Sequence, residues 1–169
     1  GHFGRFLHEL GQRFFPNIEY RIHSRRAAPD GKTFFSFADV AQCDVVILAG
    51  AIREYETQLR SVLEFVRPET IIVDVATVKK HTNGLLRELC PNRPYLATHP
   101  MFGPESYRKH NQNVSGFRIV VTESTLPAAT YQALKNALAR LGFLIIEMAA
   151  DEHDHRLAET LFLTHYVGQ

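Results

Sequence analysis

Apolar residues recur at helical spacing at Phe3, Leu7, Leu10 and Phe14, with Arg5, His8, Glu9 and Gln12 between them; the pattern predicts a helix that Pro16-Asn17 stops. Residues 18–22 alternate apolar and polar as a short strand does, and another short strand is predicted over residues 33–37, after the breaker cluster Pro29-Asp30-Gly31. Asp44-Val45-Val46-Ile47-Leu48-Ala49 is a continuous run rich in β-branched residues, which predicts a strand buried on both faces. A helical period returns over residues 52–65 through Tyr55, Leu59, Val62 and Leu63, Pro68 ends it, and residues 70–75 form a second buried strand. Beyond these the pattern predicts a helix around residues 83–89, strands at 95–98 and 117–121, a helix at 128–141 and a strand at 143–148. A last helix starts near Asp151.

Strands alternating with helices imply right-handed crossovers and a mainly parallel sheet, an α/β doubly wound arrangement whose ligands gather at the carboxyl ends of the strands. At 169 residues the chain suits one domain, or one domain plus the start of another. Nineteen Lys and Arg against eighteen Asp and Glu leave a net charge of +1, so nothing draws the chain broadly to nucleic acid or an anionic membrane. No apolar run is long enough to span a bilayer, and nothing resembles a signal peptide. Cys43 and Cys90 lie far apart, as reduced thiols of a cytoplasmic chain do. The chain opens on Gly1-His2-Phe3-Gly4 and closes inside a helical pattern, so both ends are expected to be cut.

Gly1-x-x-Gly4 at the head of a helix has the spacing of the back half of a G-x-G-x-x-G dinucleotide fingerprint, although a plain turn has the same spacing. Such a fold places its ribose-reading residue roughly twenty positions on, at the end of the next strand. Here that place reads His23-Ser24-Arg25-Arg26, with no acid. A carboxylate would repel a 2′-phosphate, whereas guanidinium groups and a hydroxyl pair with its oxygens. The turn therefore points to NADP; a solvated basic turn is the alternative.

Two segments place polar groups at strand ends. Thr77 and Lys79 follow the strand at 70–75, and His99 ends the strand at 95–98, before Pro100 and Gly103-Pro104 in a loop expected to be non-helical. An imidazole there has a pKa suited to proton transfer, although a lone histidine is more often structural. In Asp151-Glu152-His153-Asp154-His155 the two histidines are too close in sequence to share a helix face, so no metal site is expected, and the acids suit the helix dipole.

Taken together, Asp74-Val75-Ala76-Thr77-Val78-Lys79, Thr98-His99-Pro100-Met101-Phe102-Gly103-Pro104-Glu105-Ser106 and Glu152-His153-Asp154 resemble the prephenate/arogenate dehydrogenase family of tyrosine biosynthesis, the second segment in its plant-type arogenate form. The resemblance covers essentially the whole chain. It implies a Rossmann-like NADP-binding domain over residues 1–149, with its first strand and first glycine missing. Residues 150–169 would lead into an absent helical domain for substrate binding and homodimerisation. It implies an NADP-dependent oxidative decarboxylation of arogenate or prephenate, with plastid location if the chain is plant-like. By the same matching, His99 accepts the hydroxyl proton and Thr77 bonds His99. Glu105, His153 and His165 stand near the substrate, and Gly1, Phe3, Gly4, Ser24, Arg25, Arg26, Ala49 and Lys79 form the cofactor-binding set. The chain alone is expected to turn over poorly. Another NADP-dependent dehydrogenase of β-hydroxyacid type, and a non-catalytic dinucleotide-binding module, are the competing readings.

Overall fold

The structure, a computed structural model, describes residues 1–167 and the side chains of residues 1–160. Five strands form one sheet in the order β1 (Val45–Leu48), β2 (Ile71–Asp74), β3 (Tyr95–Pro100), β4 (Arg118–Ser124) and β5 (Leu144–Glu147). β1, β2 and β3 run parallel, β4 runs antiparallel to β3, and β5 is parallel to β4. The sheet is therefore mainly parallel, as the alternating pattern implies. Helix α1 (His2–Phe14) and the short α2 (Phe37–Ala41) precede the sheet. α3 (Tyr55–Leu63), α4 (Lys79–Leu89) and α6 (Ala128–Arg140) make the crossovers between parallel neighbours. α5 (Pro104–Lys109) joins β3 to β4, and α7 (Ala150–Val167) follows β5.

Two hydrophobic cores hold these layers. One gathers Val46 and Leu48 of β1, Ile72 of β2, Tyr55, Leu59 and Val62 of α3, and Leu85 and Leu86 of α4. The other is aromatic: Phe6 of α1 meets Phe102 edge-on at 6.1 Å and Tyr107 at 5.4 Å, while Phe102 stacks on Phe117 at 4.9 Å. Such ring pairs contribute about 0.5–1.5 kcal/mol each beyond the area they bury.

The structure departs from the sequence pattern in several places. Residues 18–22 form no strand; Ile22 makes only one parallel bridge, to Phe34. Residues 33–37 do not continue as a strand either, because Ser36 caps α2, accepting from the Asp39 N–H while the Asp39 carboxylate accepts from the Ser36 N–H. β1 is covered on one face only: Val46 and Leu48 are buried, while Val45 and Ile47 are 45% and 48% exposed. Residues 104–109, expected as loop, begin α5 with Pro104 in the first turn, where its missing N–H costs nothing.

Candidate functional site

Parallel pairing brings the carboxyl ends of three strands to one edge. Leu48 pairs with Asp74, and Asp74 with Ala97, so the residues after each share a level. Ala49, Thr77 and His99 all emerge there. β4 enters at the same edge, with Val120 opposite His99.

Beneath that edge lies a charged cluster that local pattern does not reveal. The Lys79 side chain is fully buried; its Nζ bonds the Asp74 carboxylate and donates to the Thr98 carbonyl oxygen at 2.6 Å. Thr82 Oγ1 and the Ala76 N–H each donate to Asp74 at 2.8 Å, and Thr98 Oγ1 donates to the Asp74 carbonyl oxygen at 2.7 Å. Burial pushes the Lys79 ammonium down, and the Asp74 carboxylate opposes that shift. Lys79, expected at the cofactor, thus turns inward and ties β2, β3 and α4 together.

His99 is 9% exposed. Its Nδ1 lies 2.9 Å from His153 Nε2, with the two rings at 78°. His153 is 3% exposed, and its Nδ1 lies 2.8 Å from Asp154 Oδ1. Asp154 also accepts the Lys79 and Lys80 backbone N–H groups, each at 2.9 Å, and so caps α4 from α7. Burial lowers the His99 pKa to about 4, helped by His153 and Lys79, while Asp154 acts the other way. Burial alone would raise Asp154, but the two backbone donors and His153 hold it below its ordinary value.

Several assignments change. Thr77 is exposed and, among the described residues, makes no hydrogen bond to His99; His153 takes that place. Glu105 stands in the first turn of α5, exposed and paired with Lys109 at 2.8 Å, so it is a surface helix acid and not a loop acid. Asp151 and Glu152 do occupy the first turn of α7, but Asp154 serves α4 instead of its own helix. The side chain of His165 lies outside the described residues. In sequence Asp154 reads only as a helix-dipole acid, because its partners in α4 stand some 75 positions earlier. The one local signal was a carboxylate adjoining a histidine.

The residues expected from sequence to hold a dinucleotide gather around the loop leaving β1. A Cβ on Gly1 would come within 4.0 Å of the Ala49 carbonyl oxygen, and one on Gly4 within 3.6 Å of Ala49 Cβ. Both are ordinary contacts, so close packing demands glycine at neither position. α1 starts without a side-chain cap and with no acid in its first turn, while Phe3 turns into the aromatic core beside Phe6. The basic turn carries an acid from elsewhere: Glu54, on the 3₁₀ turn Ile52–Glu54, is ion-paired with Arg25. Ser24 Oγ accepts from the Arg26 N–H at 3.3 Å, and the Arg26 guanidinium makes no ion pair among the described residues.

Residues 25–125 match the family model described as prephenate dehydrogenase, nucleotide-binding domain. Arogenate dehydrogenase 1, chloroplastic, of Arabidopsis thaliana is 31% identical over 183 residues, covering 100% of this chain and 28% of that protein. Arogenate dehydrogenase 2, chloroplastic, of the same plant is 33% identical over 184 residues, covering 100% of this chain and 50% of that protein. The chain thus spans half or less of the length of these relatives. In fold it matches prephenate dehydrogenase from Aquifex aeolicus with a TM-score of 0.65 at 19% identity, over 81% of this chain and 51% of that one. A structure of prephenate dehydrogenase from A. aeolicus in complex with hydroxyphenyl propionate and NAD+ gives 0.56 at 18% identity, over 73% and 45%. A parallel edge carrying a buried imidazole, the match to the family model over most of the chain and the likeness to these relatives agree: the chain belongs to the prephenate dehydrogenase family and carries its nucleotide-binding domain.

Proposed function

We propose that the protein containing this chain oxidises and decarboxylates arogenate or prephenate, with His99 as the base and a nicotinamide dinucleotide, NADP in preference to NAD, as cofactor. The observation that carries this reading is the imidazole of His99, neutral because burial depresses its pKa to about 4, at the carboxyl edge of three parallel strands. A neutral imidazole within hydrogen-bond reach of a substrate hydroxyl is a competent base.

The residues fit the cofactor. The head of α1 offers unpaired N–H groups with no carboxylate among them and no side chain on Gly1, which suits a pyrophosphate. Arg26 has no ion pair to give up among the described residues, and Ser24 stands beside it, which suits a 2′-phosphate. When bound, the dinucleotide supplies a hydride acceptor. His99 takes the proton from the ring hydroxyl as the substrate loses hydride and carbon dioxide and its ring becomes aromatic. Lys79 has no contact with either ligand in this reading; it fixes the Thr98 carbonyl and so the strand end that carries His99.

Calorimetric titration of the chain with NADP+ and NAD+, and turnover of the full-length protein with arogenate and with prephenate, test the proposal. Binding of NADP+ well ahead of NAD+, with reduced cofactor appearing in step with one of the two substrates, is expected. Failure to reduce either dinucleotide with both substrates present would overturn it.

A further inference from the structure

His99 and His153 face each other through ring nitrogens at 2.9 Å, so one nitrogen of that pair carries the proton and the other does not. Geometry at the far side of His153 decides which. Its Nδ1 faces Asp154 Oδ1 at 2.8 Å. That carboxylate already accepts the N–H groups of Lys79 and Lys80, which as backbone donors cannot reverse their sense. Asp154 is therefore an acceptor toward His153 as well, and His153 Nδ1 must bear hydrogen. With a single proton on each ring, His153 Nε2 is then a lone pair, and the facing nitrogen of His99 must donate.

We propose that His153 and Asp154 are positioning residues that lock His99 in its Nδ1–H tautomer, leaving Nε2 as the basic atom turned toward the site. The role of Nε2 as the proton acceptor rests on the function proposed above; the tautomer itself does not. The opposite arrangement, with His153 Nε2–H donating to His99, would set an unprotonated nitrogen against a carboxylate oxygen at 2.8 Å, two acceptors in mutual repulsion. A carboxylate bonded to one imidazole nitrogen fixes which nitrogen is left basic; here an extra imidazole transmits that choice by one ring. When His99 gains a proton, the Nδ1–H bond it already makes points along His153 toward the Asp154 charge, so the cation is partly stabilised from that side. The titratable groups facing His99 are His153 and Asp154 from α7 and Lys79 from α4, and Lys79 is itself paired with Asp74 of β2. Asp154 held below its ordinary pKa keeps this chain of bonds intact through the neutral range.

The test is long-range proton–nitrogen correlation NMR on the 15N-histidine-labelled chain above pH 6.5. Both His99 and His153 should show the Nδ1–H pattern. An Nε2–H pattern at His99 would overturn the proposal, whatever the enzyme does. His153→Gln keeps an amide oxygen to accept from His99 and should preserve the His99 pattern, whereas His153→Leu should release it to a mixture. If the leucine variant fails to fold, the wild-type spectrum and the glutamine variant decide. In the full-length enzyme, His153→Leu should lower kcat with little change in the KM for substrate, within the roughly 10²–10⁴-fold that a positioned base contributes. His153→Gln should recover most of that loss and restore the acid limb of the kcat–pH profile. The expected tautomers in a protein that oxidises neither substrate would sustain this inference and defeat the function proposed above; activity with His99 in the Nε2–H form would do the reverse.

Discussion

The Lys79 ammonium and the Asp74 carboxylate form an ion pair in which neither side chain has any exposed surface. Removing one partner of such a pair strands the other charge in the core, which typically costs about 3–5 kcal/mol. Lys79→Met should therefore lower the unfolding midpoint in urea by a loss of that size, although methionine fills much the same volume. Adding Asp74→Asn to it should recover part of the loss, because the lone charge is then gone. A single variant as stable as the parent would show that the pair is not closed in solution.

The Tyr55 hydroxyl is the opposite case. It is buried with the ring at 3% exposure and, among the described residues, has no hydrogen-bond partner. Leaving a buried hydroxyl unpaired costs about 1–3 kcal/mol, and removing the oxygen removes that cost. Tyr55→Phe should leave the melting temperature unchanged or raise it; a clear drop would reveal a bound water or partner at that oxygen.

Acid should loosen the fold earlier than carboxylate titration alone would. His99 has its pKa lowered from 6.5 to about 4 by burial, so the unfolded chain binds this proton more readily than the folded one. The stability linked to it is complete above pH 6.5 and is lost as pH falls toward 4. Asp154, held below its ordinary value, adds a loss in the same direction at lower pH. Urea midpoints measured at several pH values should fall across that window, and the slope should be smaller in His99→Gln.

The basic turn should discriminate between cofactors through Arg26 more than Arg25, since Glu54 already holds Arg25. Arg26→Ala should weaken NADP+ binding by a charge-assisted hydrogen bond, about 1.5–3 kcal/mol or roughly ten- to hundredfold, and leave NAD+ nearly unchanged. Equal losses for both dinucleotides would remove the 2′-phosphate assignment. Glu54→Gln should free Arg25 and tighten NADP+.

If His99 is the base proposed above, His99→Gln in the full-length protein should lower kcat by roughly 10²–10⁴-fold while dinucleotide binding stays near normal. Thr77→Val should cost far less, because the Thr77 hydroxyl makes no bond to that imidazole. Reversed magnitudes would return Thr77 to the centre of the chemistry.

How far the sequence spoke depended on the distance over which each signal acts. Buried strands such as Ile71–Asp74 announce themselves through a local run of β-branched residues, and the alternation of strands with helices carries the parallel order of β1, β2 and β3 with it. His99 was legible because a histidine at the end of such a strand stands out against apolar neighbours. The start of α4 was not, since its cap is Asp154 and local sequence offers only Val78 at that position; the expected helix began four residues late, at Asn83. Lys79 reads as a cofactor-binding group at the strand edge because nothing nearby in sequence tells that Asp74 and the Thr98 carbonyl will enclose it. Glu54 was overlooked for the same reason, as it reaches the basic turn from an element 29 positions away. The strand expected at residues 18–22 failed on length: alternation was present, yet only Ile22 found a pairing partner.

Asp154 serves two masters, the open end of α4 and the ring of His153. A slide of α7 against α4 by a fraction of a bond length would unsettle both at once, long before any strand parts from its neighbour. The imidazole at position 99 is thereby a gauge of how α7 is seated, and whatever grips or tugs that helix would be felt at the nitrogen proposed as the proton acceptor.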